Sequence, residues 1–466
     1  MQTGRKLAIK PNPEQQSKLR QWIGCQRHVY NCKVEHLRYQ LRLRAMYLAQ
    51  FPQTDVGYVE TDQKYAQCID FSPFLREVPW PILRNGAYRF AQAVARWNKK
   101  LGGRPQRKRK HGRQSVLITS ELFSIAGNTL TVGDKKFPVG TFHMNGCMEF
   151  ETPKMLSVAV DGNKWSVSFC NDDGVEAPSY EELLNFHAGR SKDDLIADAI
   201  GIDRGIKIQA ACSNGVGYSF SPKQVASLAR AEQRRKKYQR QMSRRFKSGR
   251  AQSKNYYRAK ASKQKAERKI KNIRLDFNHK TSRDLVSQPQ TIIVLESLNL
   301  KNMTRSVAPK QADDGTYLPN GATAKSGLNK SLLHVAMGQL IQFTQYKALA
   351  EHKLVLQTPA PYTSQTCRKC KTVDERNRKS QAEFACIACG HQENADFNAS
   401  GVIVEGGIDR LIAGYFHEQL AVQKGRKKKT RVGRNAPGPS DAILVAGTDR
   451  LVGLVDGQNE ATSWAA

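Results

Sequence analysis

The sequence lacks any apolar run long enough to cross a bilayer, which takes about 20 residues. No secretory leader is expected either. The first residues, Met-Gln-Thr-Gly-Arg-Lys-Leu-Ala-Ile-Lys-Pro, contain no apolar core. No basic helix with a Trp, Phe and Leu face stands out, so attachment to an anionic membrane is the weaker reading. These absences point to the cytoplasm: bacterial cytoplasm or nucleoid, or the nucleus if the source is eukaryotic. Acidic residues are scarce as well. There are 41 Asp and Glu against 75 Lys and Arg, a formal charge of +34. So large an excess opposes compaction unless a polyanion neutralises it, and nucleic acid is the expected partner. Disulfide-like cysteine spacing is missing too. Cys25, Cys32, Cys68, Cys147, Cys170 and Cys212 stand singly in mixed-polarity sequence, as reduced, part-buried thiols do.

The other four of the ten cysteines are paired. Cys367-Arg-Lys-Cys370 is followed after fifteen residues by Cys386-Ile-Ala-Cys389-Gly-His. Two such pairs supply two thiolates each from tight knuckles, which suits a structural zinc in a ribbon. Gly390 suits a knuckle that needs positive φ. His391 is a bystander, because four sulfurs already fill the site. The ribbon is too small to be the whole machine and reads as an insertion.

Along the chain, residues 5–10 alternate like a strand. Helices are expected from Glu14 to about Leu48 and from about Phe74 to Leu101, the second broken near Pro79 and Pro81. Residues 103–113 form a basic linker containing Arg107 and Lys108, suited to tracking phosphates beside a groove. Residues 115–170 change to short β-like segments with Gly and Asn turns. They suggest a small β-barrel whose first strand is 5–10 and into which the helices are inserted. A boundary is expected over 171–195, which is acidic and turn-rich.

Ala-Asp-Ala-Ile-Gly-Ile-Asp203 then reads as an apolar strand ending in a carboxylate, with a returning strand after it. From Lys223 to Lys280 there are 21 Lys or Arg and three acids. Like charges at i, i+4 destabilise a helix, so a phosphate backbone along this face is the natural neutraliser. Arg234, Arg235, Lys236, Lys237, Arg244 and Arg245 are the candidate contacts. Ala266, Ile270, Ile273 and Phe277 fall on one helical face. The run Thr291 to Leu300 reads as a buried strand carrying Glu296. Residues 301–330 are polar, a loop long enough to be a lid or disordered. An amphipathic helix is expected over Ser331–Ala350, a strand over Lys353–Ala360, and a last helix from near Asp396 to about Leu420.

That order of strands and helices is consistent with an RNase H-like fold. It would bring Asp203, Glu296 and Asp396 together. Hard oxygen ligands so clustered suit Mg²⁺, and two such ions can activate an attacking water and stabilise the leaving oxygen. Each acid alone has a simpler role, as a turn Asp, a strand-end acid or a helix N-cap. Three at the element ends this fold requires outweigh those.

The motifs resemble the TnpB family of transposon-encoded RNA-guided DNA endonucleases, relatives of the compact type V CRISPR effectors. G-I-D-R-G-I-K resembles the first RuvC motif, I-V-L-E-S-L-N-L the second, and Y-T-S-Q-T-C-R-K-C, F-A-C-I-A-C-G-H and A-D-F-N-A-S the ribbon and third motif. P-N-P-E-Q, R-H-V-Y-N and R-L-D-F-N-H-K-T-S extend the likeness over most of the chain. The resemblance implies a β-barrel wedge domain over 1–12 and 104–190, with a helical recognition domain inserted over 13–103. It implies a RuvC-like nuclease domain over 196–360, with its basic segment at 223–285. The zinc ribbon follows at 361–395, the last nuclease helix at 396–420, and a flexible basic tail at 421–466. It implies a guide RNA and double-stranded target DNA as partners, zinc and magnesium as metals, and recognition of a short target-flanking motif. It also matches Arg378 to an arginine near the scissile strand. Arg204 stands where many relatives carry Leu or Pro, a departure expected to be harmless. A compact CRISPR effector, and an RNA-guided repressor that binds without cutting, are the alternatives.

Overall fold

The computed structural model describes residues 2–421 apart from 54–63, 111–113, 147–150, 163, 173, 175, 360 and 381. The expected basic tail lies outside them, save its first residue. The chain divides into two compact units, the first ending at Gly174 and the second beginning at Val175. Among the described residues no helix is long and apolar enough to cross a membrane.

In the first unit, strand β1 (Gln2–Ile9) leads into helix α1 (Pro13–Gln50). Asn12 caps that helix, accepting from Gln15 N–H while the Gln15 side chain returns a bond to Asn12 N–H. One continuous helix of 38 residues thus replaces the several expected. Helix α2 (Trp80–Asn98) begins at the Pro79/Pro81 pair, so those prolines start a helix rather than break one. Strands β2 (Gln114–Thr119), β3 (Phe123–Ala126), β4 (Thr129–Val132), β5 (Gly140–His143), β6 (Met155–Asp161) and β7 (Lys164–Asp172) follow.

They form two antiparallel sheets, in the orders β1-β7-β6-β2 and β3-β4-β5, joined by an isolated bridge between Ala8 and Asn145. β1 pairs with β7 along its whole length, so the helices are inserted between the first and last strands of one sheet. Gln26 of α1 is buried and bonds both main-chain groups of Leu117 on β2, fixing helix to sheet.

In the second unit, β8 (Ala199–Asp203), β9 (Ala210–Cys212) and β10 (Gly217–Tyr218) form an antiparallel meander. The long helices α3 (Pro222–Arg245) and α4 (Lys254–Ser287) form a hairpin. β11 (Ile292–Ser297) then pairs parallel with both β8 and β12 (Leu354–Pro359), giving the order β10-β9-β8-β11-β12. Between β11 and β12 lie helices α5 (Ala322–Val335) and α6 (Met337–Ala350). Strands β13 (Glu383–Ala385) and β14 (Gln392–Asn394) precede helix α7 (Ala395–Ile412).

The central sheet is buried on both faces. Ile292, Val294, Leu354 and Leu356 pack with Ile403, Val404 and Ile408 of α7. Ile200, Ile202, Ile293, Leu295 and Val355 pack on the other side with Leu285, Val286 and Leu340. With both faces apolar, alternation cannot set the register of β11. Glu296, next to its end, is buried as well, one residue past the Leu295–Ile202 pair. α7 crosses β8 at Gly201, where an added Cβ would lie 2.1 Å from the Ser400 carbonyl oxygen. Only glycine permits that approach, and it brings the start of α7 to the sheet edge.

Two expectations change here. The stretch 301–330 is not loop throughout; it holds a short helix, a small hairpin and most of α5. The amphipathic helix expected over 331–350 is split, because Ala336 adopts φ 55° and separates α5 from α6. Its carbonyl accepts from Asn278 of α4 at 3.3 Å. Local propensity favours a continuous helix at alanine, so a tertiary contact marks this break.

Candidate active site and metal centre

The two cysteine knuckles close alike. Lys371 N–H donates to Cys367 O at 2.9 Å, and Gly390 N–H to Cys386 O at 3.0 Å. Both turn residues are left-handed, Lys371 at φ 64° and Gly390 at φ 69°. Glycine adopts that conformation without steric cost, as its position suggested. The four Sγ atoms lie within 4.8 Å of one another. Across the knuckles, Cys367 and Cys389 are 3.6 Å apart and Cys370 and Cys386 3.4 Å. A tetrahedron with Zn–S bonds of about 2.3 Å has edges of about 3.8 Å, so the donors fit zinc. A disulfide would need about 2.05 Å. His391 turns its Nε2 to Glu393 at 3.2 Å and stays outside the cluster.

Asn377 joins the knuckles. It is fully buried, donates to Gln365 O and Thr372 O, and accepts from Ile387 N–H. Asn398 docks the ribbon on α7, accepting from Arg368 N–H at 3.0 Å and donating to Thr366 O at 2.8 Å. The sequence displays both asparagines inside recognisable motifs, but no periodicity or spacing reveals bonds to distant carbonyls.

The three expected carboxylates meet at one edge of the central sheet. Asp203 ends β8. Glu296 stands near the end of the neighbouring parallel strand, one residue past the Leu295–Ile202 pair. Asp396 is the second residue of α7, its N–H donating to the capping Asn394 side chain at 3.0 Å. Its Oδ2 lies 3.8 Å from the position a Cβ would take on Gly205, just beyond β8.

The Asp203 carboxyl is pushed up to about 7, first by burial and then by the facing Glu296 and Asp396; Arg204 N–H and Arg378 act the other way. Glu296 is raised by burial, opposed by the Thr363 hydroxyl, which donates to its Oε1 at 3.1 Å, and by Arg204. Asp396 is raised by burial against Arg378 and Lys207. Arg378 does reach this edge, its Nη2 lying 3.9 Å from Asp396 Oδ1. The carboxylates adjoin without forming a closed ligand shell. Among the described residues, the four cysteines are the one group of His, Cys, Asp or Glu whose ligand atoms converge closely enough for a single ion.

Arg204 is not a bystander. It is buried, and its guanidinium donates to the Glu296 and Met337 carbonyls. An arginine after a strand-end aspartate carries no local signal of that role.

The basic residues divide. Arg234, Lys236, Lys237, Arg244 and Arg245 of α3 are exposed, whereas Arg235 is partly buried and paired with Glu232 at 3.0 Å. Lys236, Lys237, Arg240 and Arg244 line a shallow concavity along one stripe of the helix. Ala266, Ile270 and Phe277 of α4 are buried as expected, with Ile273 packed beside Ile270. In the first unit Lys108 sits over the Tyr30 ring, 3.9 Å from its centroid, and Arg107 lies 3.3 Å from Glu35. Those two cations are engaged within their own unit.

Three family models match the chain. Residues 1–36 match a helix-turn-helix domain of OrfB/IS605 proteins, 187–307 the family described as "Probable transposase", and 338–403 the "Cas12f1-like, TNB domain". Several relatives align with it, among them the following two. "Putative RNA-guided DNA endonuclease InsQ" of Escherichia coli (strain K12) is 32% identical over 59% of this chain, and the alignment spans 61% of that protein. A "Putative RNA-guided DNA endonuclease" of Streptomyces pristinaespiralis is 26% identical over 96% of this chain and 98% of its own. The resemblance to the TnpB family is borne out.

The mixed α/β fold is shared with a solved structure described as a Cas12f1-sgRNA-target DNA complex. Its TM-score is 0.50 at 12% identity, covering 87% of this chain and 98% of that one. The first match describes its region by a helix-turn-helix, but this chain has a strand and one unbroken helix there.

Proposed function

We propose that this protein is an RNA-guided DNA endonuclease. It holds a guide RNA, binds double-stranded DNA beside a short flanking motif, and hydrolyses phosphodiesters at Asp203, Glu296 and Asp396. The observation that carries this reading is the meeting of those three acids at one sheet edge, where two parallel strand ends and one helix start adjoin. The strand order, with an antiparallel meander followed by two strands parallel to the first, supports an RNase H-like, RuvC-type domain. The sheets and helices of the first unit support a wedge domain with inserted recognition helices. Guide pairing reads sequence, while protein contacts read the flanking motif and the backbone.

Bound Mg²⁺ would supply Lewis-acid activation of water and stabilisation of the leaving oxygen. The chain's own contribution is to present carboxylates on two fixed strand ends and one helix start. Arg378 adds a cation beside Asp396 where phosphate charge would accumulate, and the part-buried edge limits competing water.

The ribbon holds one structural zinc. Purified protein is expected to contain about one zinc per chain, and Cys386→Ser to lose it and to melt at lower temperature. Metal analysis beside thermal unfolding checks this, and full zinc occupancy in the mutant would sink the assignment.

The exposed stripe of α3 lies along the guide. Replacing Arg234, Lys236, Lys237 and Arg244 with Gln is expected to weaken guide-RNA binding. The dependence of log affinity on log salt should also become shallower by about 3, since each phosphate contact on a single strand releases about 0.7 counterion. Binding titrations at several salt concentrations decide it; an unchanged slope would mean this face is only solvated.

A further inference from the structure

Arg204 is buried at 4% exposure beside the acidic edge. A guanidinium removed from water needs acceptors. This one has two, both main-chain carbonyls. Nη2 donates to Glu296 O and Nη1 to Met337 O at 3.3 Å, while its buried Nε makes no hydrogen bond. The ladder between β8 and β11 ends at Ile202 opposite Leu295, so Arg204 takes the next carbonyl along β11. Met337 opens α6 directly after left-handed Ala336, whose own carbonyl is held by Asn278 of α4. One side chain therefore ties the end of β8, the end of β11 and the α5–α6 break together behind the carboxylates. Glu296 and Asp203 are the charges it faces. Leucine could fill similar space but would strand two buried carbonyls. Lysine would keep the charge yet lack the planar fork that reaches both.

We propose that Arg204 is a positioning residue for the hydrolysis proposed above. It fixes the Glu296 main chain against that of Asp203, so that both carboxylates address the same divalent cation. This inference rests on the nuclease reading.

The test uses the full, guide-loaded chain with Mn²⁺ as the probe. Mn²⁺ binding is followed by loss of the free-ion electron paramagnetic resonance signal, and cleavage is measured across a Mn²⁺ series. Zinc content, guide affinity and melting temperature are recorded for every variant. Removing a group that orients a metal ligand typically costs roughly 10- to 100-fold in metal affinity. Arg204→Leu is therefore expected to raise the half-saturating Mn²⁺ by about that factor in both assays, with zinc content and guide affinity unchanged. Arg204→Lys is expected to fall between it and the wild type. A purely structural role would lower the melting temperature without moving the Mn²⁺ midpoint.

If the Leu variant does not fold, the Lys variant decides, and a wild-type Mn²⁺ midpoint there overturns the proposal. Asp203→Ala separates the two levels of inference. If wild type shows neither cleavage nor Mn²⁺ binding that Asp203→Ala removes, the nuclease reading fails and takes this proposal with it. If wild type shows both and the Arg204 variants match it, only the positioning role is overturned.

Discussion

Guide-loaded protein carrying Asp203→Ala is expected to cut a matched duplex several orders of magnitude more slowly than wild type, while still binding it. Asp203 ends β8 between Glu296 and Asp396, so its loss removes the carboxylate that both neighbours face. Binding survives because the exposed cations of α3, rather than this acid, are the proposed nucleic-acid contacts. Glu296→Ala and Asp396→Ala are expected to behave alike. Combining two of the three should cost little more than one, because each already destroys the same site. Ca²⁺ is expected to support binding with little cutting, being larger and looser in geometry than Mg²⁺. Single-turnover cleavage beside a binding assay on the same complexes checks all of this. Normal cutting by the Asp203 variant would put the active site elsewhere.

The second large effect is on stability, and its sign depends on pH. Burial and the two facing acids raise the Asp203 carboxyl from 3.8 to about 7. A carboxyl whose pKa is higher in the folded state favours folding only while protonated. The folded chain therefore has its full stability from this group below about pH 4 and loses it as pH rises through about 7. Asp203→Asn, a neutral isostere, is expected to raise the melting temperature at pH 8 by several degrees, in buffer without added Mg²⁺ and without chelator, so that the ribbon keeps its metal. The gain should shrink toward zero by about pH 4, where both side chains are neutral. Added Mg²⁺ should narrow the difference at pH 8 by stabilising the wild type alone. Thermal unfolding across that pH range measures it. A variant less stable than wild type at pH 8 would mean that Asp203 is not under electrostatic strain.

Those acids were legible in the sequence because each stands at an element boundary that local rules can find. Asp203 and Glu296 close apolar runs, and Asp396 marks a helix start, although the cap itself is Asn394 rather than the acid. The cysteine knuckles were legible for a similar reason, since spacing alone brings two thiolates together. What local rules could not reach are contacts across the chain. Arg204 reads as an ordinary turn residue until the Glu296 and Met337 carbonyls are beside it. The helix break at Ala336 is invisible because alanine favours continuation, and only the bond from Asn278 marks it. Lys108 is a similar case: its ammonium sits over the Tyr30 ring, a contact within its own unit that a basic run does not announce.

The most direct measurement is cleavage by the wild-type protein, loaded with a guide of chosen sequence, on a duplex that carries the matched target beside the flanking motif. Cutting is expected only with Mg²⁺ or Mn²⁺, only on the matched duplex, and with the cut site moving when the guide is changed. A complex that binds the matched duplex tightly and leaves it intact at every Mg²⁺ concentration would contradict the nuclease reading and favour an RNA-guided repressor.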